Sequence, residues 1–132
     1  MSTEREASCA CGQLRVRCPE TPLSVSLCHC SDCQRRTGSA FGIAAFFGRE
    51  DIIVSGDYRT FSREADSGLP VHFHFCASCG STVFWHPERM AERVAVAVGA
   101  FADPDFPAPG KAVYEDRALA WAAGVLKDQT SR

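Results

Sequence analysis

The sequence predicts a mainly β fold, and three observations carry that prediction. Short runs alternate polar and apolar residues, most clearly over residues 13–18, 23–28 and 71–76. Glycine and proline punctuate the chain between these runs. The cysteines fall in three clusters, Cys9/Cys11, Cys28/Cys30/Cys33 and Cys76/Cys79, as expected where small sheets converge on metal.

Taken in order, residues 13–18 place Leu14, Val16 and Cys18 on one face of a strand and Gln13, Arg15 and Arg17 on the other. Cys18 is thereby expected to be an inert buried thiol, and Gly12 allows a bend beside the first cysteine pair. Residues 19–22 turn. Residues 23–28 put Leu23, Val25 and Leu27 toward the core and Ser24, Ser26 and Cys28 opposite, with Cys30 continuing that parity. Residues 31–38 predict a short helical turn, capped by Ser31 or Asp32 and stopped by Gly38. Residues 41–47 suit a buried strand, and residues 52–54 and 58–61 a hairpin around Ser55-Gly56-Asp57. After a loop at 64–70, residues 71–76 set Val71, Phe73 and Phe75 against His72, His74 and Cys76. Gly80 permits the turn after Cys79. Residues 82–85 and 93–101 predict strands, 103–110 an irregular connection, 111–115 a last strand and 116–127 a short helix or coil arm.

A chain of 132 residues, 45% of them apolar, is the size of one ordinary domain with a real core. Its formal charge of −2 provides no basic field for nucleic acid, beyond a local spot at Arg35 and Arg36. No apolar run approaches the ~20 residues that a bilayer requires. Residues 1–6 lack the apolar core of a signal peptide, so a cytoplasmic location is expected. In that reducing setting eight cysteines point to metal rather than to disulfides.

Thiolates are preferred zinc ligands, and seven clustered cysteines divide into four plus three. Cys76 and Cys79 are spaced as a chelating pair, with Cys9 and Cys11 as the natural partner pair. Cys28, Cys30 and Cys33 then remain as a site with an open position. A rival partition, the central cluster plus one flanking thiol, would split a pair.

Three stretches resemble the glutathione-dependent formaldehyde-activating enzyme family, which also contains the domain of centromere protein V. They are Cys9-Ala10-Cys11-Gly12, the run from Cys28-His29-Cys30-Ser31-Asp32-Cys33 through Gly38, and Phe75-Cys76-Ala77-Ser78-Cys79-Gly80. The resemblance implies a β-tent-like fold of several small antiparallel sheets around zinc, in a single domain over residues 1–132. It implies a structural zinc on Cys9, Cys11, Cys76 and Cys79 and a catalytic one on Cys28, Cys30 and Cys33. The implied reaction is addition of glutathione to formaldehyde, in the carbon–sulfur lyase class. Many family members carry a histidine near the start of the last strand, where Ala112 stands here, and a role resting on it does not transfer.

The chemistry is reasonable for such a site. Zinc deprotonates a bound thiol, and the thiolate can attack an aldehyde carbon. Three thiolates also leave net negative charge on the site, so this second zinc is expected to be labile. The expected partners are a small thiol and a small aldehyde, with no nucleic acid or membrane, and the chain a monomer or homodimer. Arg35 and Arg36 are candidates to hold a glutathione carboxylate, against the plainer reading of a solvated helical face. By parity His29 faces away from its neighbouring ligands as a packed imidazole, and His74 is a candidate donor behind Cys76. His72 and His86 are expected at the surface, and Trp85 and Trp121 in the core or a pocket wall. The competing class is a zinc-stabilised binding module, which needs only the closed site and an exposed apolar patch.

Overall fold

A computed structural model of the chain describes residues 4–122. Within them run the strands β1 (Glu4–Ser8), β2 (Arg15–Pro19) and β3 (Ser24–Cys28), the helix α1 (Ser31–Thr37), and β4 (Gly42–Gly48). There follow β5 (Ile53–Ser55), β6 (Tyr58–Glu64), β7 (Pro70–Cys76), β8 (Thr82–Pro87), β9 (Arg93–Ala97) and β10 (Lys111–Val113). The chain is thus mainly β. A three-stranded sheet has the order β1-β2-β5, and a seven-stranded sheet the order β10-β3-β4-β9-β8-β7-β6. Pairing is antiparallel except between β10 and β3.

The alternation in β2 works as its sequence predicts. Val16 and Cys18, with Leu14 just before the strand, are buried, and they pack toward Phe47, Val94 and Val96 of the larger sheet. Fully burying one such side chain stabilises by ~1.5–3 kcal/mol, so this seam between the sheets is the main core. The other face of the larger sheet carries a smaller cluster of Val71, Phe73, Trp85 and Ala95. Strands β4 and β9 lie between these two clusters, which explains why β4 is apolar throughout and β9 is apolar after Arg93.

Several expectations are corrected. Residues 52–54 and 58–61 do not form a hairpin: β5 pairs with β2, and β6 pairs with β7. Between them the chain passes from one sheet to the other against Gln13. The Gln13 amide donates to the Asp57 carbonyl at 2.6 Å and accepts from the Asp57 amide at 2.9 Å. Gly56, at φ 104°, is needed there, because a Cβ would collide with the Gln13 carbonyl oxygen. The polar segment at the N-terminus contributes β1, held by pairing to β2 rather than by its own apolar content. Leu23 is exposed because it lies beyond the end of β3, outside the cover that buries Val25 and Leu27. Extended structure after Arg93 stops at Ala97 and gives way to a 3-10 turn over Val98–Phe101. The 116–127 arm begins as a 3-10 turn at Glu115–Arg117, and its residues 123–127 lie outside those described. Trp121 is exposed, with no sheet of the described residues covering it.

Candidate metal centres and the cavity beside them

Cys28 closes β3 opposite Gly42 of β4. The chain then turns at His29, whose amide donates to the Val113 carbonyl at 3.0 Å, and α1 begins. Cys30 itself caps the helix, its sulfur accepting from the Cys33 amide at 3.3 Å, so neither Ser31 nor Asp32 is the cap. Gly38 ends the helix in the left-handed region at φ 65°. The strand end and the first helical turn together bring the sulfurs of Cys28, Cys30 and Cys33 within 4.8 Å of one another. Gly42 makes room for this: a Cβ there would lie 3.5 Å from the Cys33 Cβ and 2.6 Å from Arg36 Nη2.

The three thiols hold one another's protons. The hydrogen bond from Cys33 lowers the Cys28 pKa, the same contact raises that of Cys33, and burial raises that of Cys30. His29 is buried beside the cluster with its ring edge-on to Phe41 at 5.7 Å, and its Nδ1 has no hydrogen-bond partner among the described residues.

The cluster opens into a cavity of about 600 Å³ on the face of the larger sheet away from the main core. Its charged lining is six cations, Arg36, Arg63, Arg89, Arg93, Lys111 and Arg117, against two carboxylates, Asp32 and Asp66. Asp32 pairs with Arg63 at 3.3 Å, and Asp66 accepts from the Tyr114 hydroxyl at 2.8 Å. The other five cations have no carboxylate partner among the described residues. In a chain of net charge −2 this is a strong local concentration of positive charge. Arg36 lines the cavity with its guanidinium 4.3 Å from the Trp85 ring centroid, whereas Arg35 is exposed and outside the lining. Ala112 also faces away, while its neighbours Lys111 and Val113 line the wall.

The second cluster joins distant parts of the chain. Cys9 and Cys11 come from the β1–β2 turn, Cys76 from the end of β7 and Cys79 from the β7–β8 turn. Cys9 and Cys11 sulfurs are 3.6 Å apart, and those of Cys11 and Cys76 3.7 Å. Four sulfurs bound tetrahedrally at ~2.3 Å from one zinc would be ~3.8 Å apart, so the donor set fits such an ion. Amides point at the sulfurs, from Leu14 to Cys9 and from Ser78 and Cys79 to Cys76, each at 3.3 Å. Gln13 Nε2 adds a donor to Cys76 at 3.0 Å. Burial pushes the Cys76 thiol up, but these donors outweigh it and bring it down to about 7. The Ser81 hydroxyl and amide lower Cys79 to about 5. Each turn is tightened by a glycine in the left-handed region, Gly12 at φ 86° and Gly80 at φ 82°.

A family model for the glutathione-dependent formaldehyde-activating enzyme matches residues 4–117. The chain belongs to this family. A crystal structure of a Rhodobacter sphaeroides protein is similar to it in fold, with a TM-score of 0.55 and 23% identity over 72% of this chain and 85% of that one. No curated protein matches the sequence. The family's relation to glutathione and formaldehyde agrees with two clusters that could hold metal ions, one of them beside a cationic cavity. Among the described residues no helix is long and apolar enough to cross a membrane.

Sequence reasoning missed Gln13 as a donor to Cys76, and it missed Arg63, Lys111 and Tyr114 in the cavity. Their positions depend on pairings between remote strands, and no local spacing signals them. His74 reaches no cysteine: its Nδ1 meets Thr60 at 2.9 Å and its Nε2 meets His86 at 2.8 Å. His72 sits between Ser62 and Glu88.

Proposed function

We propose that the chain is a zinc-dependent enzyme of the carbon–sulfur lyase type that joins glutathione, or another small thiol, to formaldehyde or another small aldehyde. The observation that carries this reading is the placement of three convergent thiols at a cavity whose cations, Arg63 apart, have no carboxylate partner among the described residues. Cys28, Cys30 and Cys33 would hold one zinc with a position left open, and Cys9, Cys11, Cys76 and Cys79 a second, closed one. Zinc, when bound, lowers the pKa of a coordinated thiol and so supplies a nucleophile at neutral pH.

The residues of the chain supply binding and charge. Arg36 and its cationic neighbours receive carboxylates of the thiol. The hydrogen bond to Asp66 raises the Tyr114 pKa, so the phenol stays protonated at the cavity edge. The addition balances as one carbon–sulfur bond formed, one carbonyl π bond opened and the thiol proton delivered to the new hydroxyl. A reducing cytoplasm suits these thiols. A zinc-stabilised binding module would leave the cavity and its charge without a role.

The test is zinc stoichiometry, followed by NMR detection of hydroxymethyl adducts from glutathione with formaldehyde and other small aldehydes. Two zincs per chain and catalysed adduct formation are expected, with Cys30→Ser inactive. Fully loaded protein that accelerates no adduct would overturn the enzyme reading.

A further inference from the structure

Two of the cavity's arginines share one aromatic platform. Arg36, from α1, lies 4.3 Å from the Trp85 centroid and 5.7 Å from that of Phe73. Arg63, from β6 at the far edge of the sheet, lies 5.2 Å from the same Phe73 ring. Phe73 and Trp85 are buried and packed together at 5.6 Å, so the platform is rigid and favourable to cations on its faces. Two guanidiniums on one ring repel each other unless anions answer them. Among the described residues only Asp32 does so, pairing with Arg63, and its side chain is 51% exposed. Such half-solvated pairs are weak. Asp32 also sits on the helix that carries Cys33, so its pair with Arg63 spans from the thiol cluster to the edge strand.

We infer that Arg36 and Arg63 form a clamp for a carboxylate of the incoming thiol, with Asp32 as the resident counter-ion that the ligand displaces. A carboxylate reaching both guanidiniums exchanges one weak ion pair for two charge-assisted contacts. The clamp would select carboxylated thiols over neutral ones, and it assigns to Arg63 the part that the sequence offered to Arg35. It rests on the thiol-binding reading above.

The experiment is calorimetric titration of zinc-loaded full-length protein with glutathione and, separately, with 2-mercaptoethanol, which has no carboxylate. Asp32→Asn is expected to tighten glutathione about three- to tenfold and Arg63→Gln to weaken it by a similar factor. The double variant should match Arg63→Gln alone, because Asp32 acts by occupying Arg63. Affinity for 2-mercaptoethanol should move less than about twofold in all three. A gain from Asp32→Asn that persists in the Arg63→Gln background, or that appears equally with 2-mercaptoethanol, reduces Asp32 to a general field effect and overturns the clamp. If wild type binds both thiols and the variants do not differ, the clamp alone is lost. If wild type binds neither, the thiol-binding reading falls and the clamp with it.

Discussion

The two cysteine clusters are built in opposite ways. The four-thiol cluster is a tertiary object: its halves come from turns of different sheets, and Gln13 ties them to the crossing at Asp57. The three-thiol cluster is local, made by the end of β3 and the first turn of α1 within six residues, and it faces a cavity. Metal in the first therefore links parts of the fold that the chain keeps far apart, whereas metal in the second adds little that helix and strand do not already fix. Stability and chemistry are expected to divide along the same line.

The largest effect should come from the first cluster. Cys79→Ser or Cys76→Ser should leave the protein insoluble or molten, because metal binding at such a site is worth on the order of 10 kcal/mol, as much as a domain's whole stability. Circular dichroism and thermal melting decide this, and a Cys79→Ser variant with an unchanged melting temperature breaks the comparison at once. Cys30→Ser should be much milder. It should lose about one zinc per chain yet stay folded within ~1 kcal/mol, since serine still offers an oxygen to the Cys33 amide and serves as a good helix cap. Unfolding as severe as that of the Cys79 variant would make both clusters structural.

Acid sharpens the comparison, because protons compete for every thiolate and must be separated from other titrations. Burial, followed by the neighbouring His86 and His72, lowers His74 to about 4 from 6.5. The unfolded chain therefore binds a proton that the native chain refuses between those values. Stability from this group is complete above pH 6.5 and falls as pH drops toward 4, by at most ~1.4 kcal/mol per unit. His74→Gln should flatten this part of the profile in urea unfolding measured from pH 7.5 to 5, and what remains is shared between metal loss and His86, whose pKa burial also lowers. An unaltered slope in the variant would remove His74 as a source of acid sensitivity and leave it to the thiols and His86. The smallest effect should be that of Arg35→Ala, exposed and outside the cavity lining. It should change stability by less than ~0.5 kcal/mol and leave glutathione titrations unmoved. A clear loss of binding would mean that the ligand reaches over the helix.

The three-thiol cluster and the two halves of the four-thiol cluster were legible in the sequence because ligand spacing is a local property, and so was the β class, because alternation records which face is buried. Pairing between remote segments was not legible. Residues 52–61 have the composition of a hairpin, yet β5 completes the small sheet and Gly56 serves a crossing rather than a turn. The cap of α1 was misjudged because a cysteine does what serine and aspartate usually do. Arg35 and Arg36 are adjacent and chemically identical, and only helix geometry sends one over Trp85 and the other to solvent.

The parallel pairing of β10 with β3 has a consequence for biosynthesis. A growing chain exposes Cys79 well before residue 111, so all the ligands of the four-thiol cluster are available while the larger sheet still lacks its last strand. The amide of His29 waits for the Val113 carbonyl, and Lys111, Tyr114 and Arg117 reach the cavity with that same segment. A metal held by that cluster, as proposed, would therefore find its four ligands already made while the central thiols still stand beside an unfinished wall. Under the proposed function, the order of translation leaves the cationic wall incomplete until that last segment has emerged.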